Sequence, residues 1–80
     1  MKSRERGSPQ HNELRELLLE RRQRAKLTQR ELAARLGWDQ KLISKIERGS
    51  KRVTVLELIA LARALEFDPA AAVRRVARLR

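Results

Sequence analysis

Apolar residues recur three and four positions apart in five separate runs of this chain, and a residue suited to helix capping precedes each run. Leu14, Leu17, Leu18 and Ala25 form the first stripe, with Leu19 off its line and available either to solvent or to a partner. Leu32, Ala33 and Leu36 form the second and Ile43 with Ile46 the third. Val55, Leu58, Ile59, Ala62 and Leu65 form the fourth, and Val73, Val76 and Leu79 the last. No strand pattern and no internal repeat is visible. The expected fold is therefore all-α, a compact bundle of about five short helices around one core.

Capping chemistry sets the expected boundaries. Ser8 with Pro9, or else Asn12, opens the first helix, and the sequence leaves both starts open. Thr28 with Glu31, and Thr54 with Glu57, have the spacing of a capping box, in which the threonine oxygen accepts a first-turn amide and the carboxylate reaches back. Asp39 caps the third helix, and Asp68 followed by Pro69 the fifth. Gly37 and Gly49 supply the permissive backbone that ends the second and third helices. Gln29 to Leu36 and the helix after Asp39 thus form two short helices across one tight turn, a helix-turn-helix. Ala33 suits it, since a large side chain there would hold the two helices apart. With Ile43 and Ile46 inward, the outer face of the second of these helices carries Gln40, Lys41, Ser44, Lys45 and Arg48. That chemistry suits base edges and phosphates, although an ordinary amphipathic hairpin with a solvated basic face has the same spacing.

Charge separates these two readings. Twenty Lys and Arg against ten Asp and Glu give a net charge of +10 on 80 residues, which marks a binder of polyanions, with nucleic acid first. A chain this short holds one domain and a modest core, with little room for a catalytic cleft. There is no cysteine, hence no disulfide or thiolate metal site. The single His11 stands near the tail without ligands or base partners, and is expected to be a surface histidine. No metal, no cofactor and no enzymatic activity are expected. No stretch is apolar enough for a membrane, and a cytoplasmic location is expected. Residues 1–10 read as a flexible basic arm and 11–80 as the single folded domain. Lys2, Arg4 and Arg6 of the arm either reach an adjacent groove or only solubilise the chain.

The runs L-T-Q-R-E-L-A-A-R-L-G from Leu27 to Gly37, I-S-K-I-E-R-G from Ile43 to Gly49, and L-A-R-A-L followed by F-D-P from Leu61 to Pro69, resemble the lambda-repressor and Cro-like, or XRE-type, helix-turn-helix family. The resemblance covers about Leu14 to Arg78. It implies that Gln29 contacts a DNA phosphate, with Thr28 and Arg30 as further backbone contacts. It implies that the third helix lies in the major groove with Gln40, Lys41, Ser44 and Lys45 as base readers. Leu42, near that side, either meets a thymine methyl or packs on a neighbouring helix. The segment Arg48, Ser50, Lys51 and Arg52 resembles the family loop that clamps the DNA backbone, and Arg22 with Glu47 the ion pair that ties the first helix to the third. The chain departs from the family pattern where Lys26 and Glu66 replace glycines, and where Trp38 replaces a small aliphatic as a core plug or an exposed ring.

The implied function is a sequence-specific double-stranded DNA-binding transcriptional regulator, a repressor in the simplest case, acting as a homodimer through the last helix and exposed leucines. The alternative is an antitoxin-like or adaptor protein that holds a protein partner and uses the same motif for autoregulation; an exposed Leu19 would favour it. RNA binding is disfavoured by the shortage of aromatic stacking surface.

Overall fold

In the computed structural model, residues 8–79 are described, and over that range the chain forms five α-helices. They are α1 (Pro9–Arg24), α2 (Gln29–Leu36), α3 (Gln40–Arg48), α4 (Val55–Leu65) and α5 (Pro69–Ala77). No strand occurs among the described residues. The basic arm carrying Lys2, Arg4 and Arg6 lies outside them, whereas Pro9 and Gln10, grouped with the arm on sequence, are the first two residues of α1.

Each start follows from a side chain. The Ser8 hydroxyl accepts the His11 amide with Pro9 in the first turn, which decides the α1 start in favour of Ser8 over Asn12. Thr28 and Glu31 form a reciprocal capping box on α2, as Thr54 and Glu57 do on α4. Asp39 and Asp68 accept the amides of Lys41 and Ala70 at the starts of α3 and α5. At the other ends, Gly37 and Gly49 take left-handed conformations, with φ of 70° and 83°. Lys26 and Glu66 adopt the same conformation without being glycine, at φ of 60° and 59°.

Leu17 and Leu18 of α1 meet Leu32 and Ala33 of α2, Ile43 and Ile46 of α3, Leu58, Leu61 and Leu65 of α4, and Ala72 of α5 in one core. Each fully buried leucine or isoleucine contributes roughly 1.5–3 kcal/mol of transfer free energy, which holds together helices too short to persist alone. Trp38 is half-buried against this core, as a plug in the helix-turn-helix turn. Leu42 also packs on the core, not outward towards a groove. Several expectations about the apolar stripes change. Ala25 is exposed because α1 has already ended, Leu19 is half-buried, and Val55 in the first turn of α4 is exposed. In α5 the buried position is Ala72, Val73 is exposed, and the helix stops at Ala77 before reaching Leu79. The short alanine lets α5 come close, so the inward face is set one residue earlier than the valines suggested. Arg75 fastens α5 to α1 through Glu13 and Glu20.

Candidate nucleic-acid interface

The position of α3 is fixed by α1. Arg22 of α1 makes a bidentate pair with Glu47, with Nε at 2.7 Å from Oε2 and Nη2 at 3.1 Å from Oε1, and its Nη1 donates to the Leu27 carbonyl. Both side chains are largely buried, at 14% and 8% exposure. Gln29, at the start of α2, donates to the same carboxylate at 2.8 Å. The ion pair therefore joins α1, α2 and the last turn of α3, and Glu47 has a hydrogen-bond donor on each of its two oxygens. Two further contacts from α1 were not anticipated. Arg15 donates to the Glu47 carbonyl at 3.1 Å, and the His11 ring Nε2 lies 3.1 Å from the Gly49 carbonyl oxygen. His11 is thus no tail residue: the α1 start at Pro9 carries it into the helix, half-buried against the end of α3. Arg15 lies so close to Gly49 that a Cβ there would come within 3.2 Å of its Cδ, so glycine meets both a steric and a φ requirement. No sequence spacing links residues 11 and 15 to residue 49, and only the helix crossing brings them together.

On the outward face of α3, Gln40, Lys41, Lys45 and Arg48 are exposed and Ser44 is half-buried. Among the described residues the side chains of Gln40, Lys41 and Lys45 have no bonding partner, while Arg48 donates to the Ser44 hydroxyl at 2.8 Å. Ser50 lies at the end of α3, its amide and hydroxyl both donating to the Lys45 carbonyl.

The first turn of α2 presents exposed Thr28 and Arg30, together with the Gln29 and Arg30 amides, which have no bonding partner among the described residues. The Gln29 side chain, expected at a phosphate, instead spends its amide donor on Glu47. Lys51, expected at the DNA backbone, has its ammonium bonded to Glu57 Oε1 at 2.8 Å and to the Arg52 carbonyl at 2.7 Å. Arg52 is exposed beside it. Hydrogen bonds from the backbone and then the hydroxyl of Thr28 hold the Glu31 carboxyl below its ordinary value of 4.5. Burial raises Glu57, but Lys51 and Thr54 together outweigh it and hold that carboxyl low as well. No group of acidic or histidine side chains suited to a metal occurs among the described residues.

The Helix-turn-helix family model matches residues 18–71, a span that contains every helix junction described above. The chain belongs to the XRE-type helix-turn-helix family. This XRE-type protein is similar in structure to an XRE-family like protein from Pseudomonas syringae pv. tomato str. DC3000, with a TM-score of 0.80 and 38% sequence identity over 88% of this chain and 85% of that one. No curated protein matches the sequence. The XRE-type fold makes the chain a DNA-binding helix-turn-helix regulator in general, and places α3 as its second motif helix. No helix among the described residues is long and apolar enough to cross a membrane.

Proposed function

We propose that this protein reads a specific operator through α3 in the major groove and represses transcription by occupying it, as a homodimer in the cytoplasm. The observation that carries the reading is the outward face of α3, where Gln40, Lys41 and Lys45 are exposed and have no partner among the described residues while the helix beneath them is anchored by Glu47. Gln40 has the bidentate geometry for adenine, the two lysines suit guanine acceptors, and Ser44 accepts or donates to either. Thr28, Gln29, Arg30, Arg48, Ser50, Lys51 and Arg52 flank that face from both ends and meet the DNA backbone. Gln29 contributes through its backbone amide at the α2 N-terminus, and Lys51 by holding the loop through Glu57.

A single module makes few base contacts, so two copies over half-sites about one DNA turn apart supply the specificity. Val55, Leu56 and Val73 are exposed at 72%, 78% and 55%, and Leu14, Leu58, Ala72, Val73 and Val76 line a shallow apolar groove of about 190 Å³, which together suit a surface that another chain covers. The same apolar surface favours the second reading, an antitoxin-like or adaptor protein bound to another polypeptide. Leu19, half-buried, lends that reading nothing.

Enrichment of a random duplex DNA pool on the purified protein near physiological salt tests the proposal. A two-fold symmetric motif is the expected result; binding that collapses with salt and enriches nothing would overturn operator reading and turn attention to a protein partner. Within the enriched site, Lys41→Ala and Lys45→Ala are expected to cost about 1–3 kcal/mol and to relax the preference at single positions. Equal losses on every sequence, measured by fluorescence anisotropy, would remove α3 from the role of reader.

A further inference from the structure

Away from α3, three arginines are matched by carboxylates on the surface: Arg15 by Glu16, Arg74 by Asp68, and Arg75 by Glu13 and Glu20. Arg21, Arg24 and Arg35 are different. They line one cleft of about 350 Å³ between the last turns of α1, α2 and α4, with Ala64 and Leu65 as its apolar floor and Glu66 at its edge. Among the described residues none of the three forms an ion pair. Arg21 is held in place by Phe67, whose ring centre lies 5.2 Å from its guanidinium carbon. Arg24 and Arg35 are exposed.

Arginines at helix C-termini complement the helix dipoles, and that accounts for one charge at each helix end. It does not account for three guanidinium groups around a single concavity, where they repel one another and the low-dielectric walls concentrate their field. An anion in the cleft relieves that repulsion. The planar forks of arginine fit phosphoryl oxygens two at a time, and Glu66 is the one carboxylate among the residues that line the cleft. The volume exceeds that of a phosphate group and falls at the small end of ligand cavities, roughly 300–1,000 Å³, and the Ala64 and Leu65 floor offers contact to a non-ionic moiety.

We propose that this cleft is a binding site for a small organic phosphate no larger than a mononucleotide, held by Arg21, Arg24 and Arg35. Its α2 residue, Arg35, stands about 9 Å along the helix axis from Gln29. The proposal does not rest on operator reading, because it is tested on protein without DNA.

The test is a titration of backbone amide NMR signals with pyrophosphate, and then with AMP, at constant ionic strength. Saturable shifts on residues 21–26, 35 and 64–66 are expected. Arg24→Gln and Arg35→Gln should each raise the Kd roughly tenfold, the loss of one charge-assisted contact. Glu66→Gln should lower it by about twofold, a gain that a damaged fold would not produce. Lys41→Ala combined with Lys45→Ala should leave it unchanged. Shifts confined to α3, or a Kd indifferent to both arginine variants, would overturn the site. Binding of pyrophosphate with no binding of AMP would overturn the organic-phosphate assignment.

Discussion

Helices α1 to α4 are each closed by a residue at positive φ, and only two of those residues are glycine. At Lys26 the amide bonds Gln23 and the Leu27 amide bonds Arg22; at Glu66 the following Phe67 amide bonds Ala62. These are the backbone bonds that satisfy a helix C-terminus, made here around residues whose Cβ costs about 1–2 kcal/mol in the left-handed region. Glycine would remove that cost while adding backbone entropy to the unfolded chain, so Lys26→Gly and Glu66→Gly are each expected to stabilise by roughly 0.5–1 kcal/mol, read as a raised midpoint in urea. Both positions were legible in the sequence, because the L-T-Q and F-D-P runs after them fix where the helix must stop. The capping residues were equally legible, since Thr28, Asp39, Thr54 and Asp68 act on amides two or three positions away. The hydrogen bonds of His11 and Arg15 were not, because their partners are 38 and 32 residues distant.

Between elements, the most buried ion pair among the described residues is that of Arg22 and Glu47, which joins α1 to α3. A pair this deeply placed orients the helices more than it stabilises them, since desolvation offsets much of the attraction. Arg22→Ala leaves the Glu47 carboxylate, 8% exposed, with Gln29 as its remaining side-chain donor, and is expected to cost about 3–5 kcal/mol in urea unfolding. Arg22→Leu with Glu47→Leu should recover most of that loss in stability while weakening operator binding, because only the backbone contacts of Arg15 and His11 then tie the end of α3 to α1. The apolar stripes predicted the α2 and α3 faces, in α4 took in the exposed Val55 and left out the buried Leu61, and misplaced the inward face of α5. There the buried residue is Ala72, whose single methyl carries little hydrophobic signal beside Val73.

For the molecule as a whole, the two capping boxes make stability depend on acid. Glu31 and Glu57 have folded-state pKa values below their ordinary 4.5, so the folded form binds protons less readily than the unfolded chain. Their contribution is fully present above the unfolded value and is lost as pH falls through the lower folded values. The thermal midpoint is accordingly expected to decline below pH 4.5, and Glu31→Gln with Glu57→Gln to flatten that decline. The charge of the chain announced a polyanion, but it did not divide the cations between α3 and the Arg21, Arg24 and Arg35 cleft, because net charge carries no geometry. The contacts of His11, Arg15 and Arg22 at the end of α3 have one more consequence. A nine-residue segment that would fray in isolation meets its ligand already ordered, so association sacrifices little chain freedom. The heat-capacity change of association then reports the surface that two rigid bodies cover, with no contribution from a segment folding as it docks.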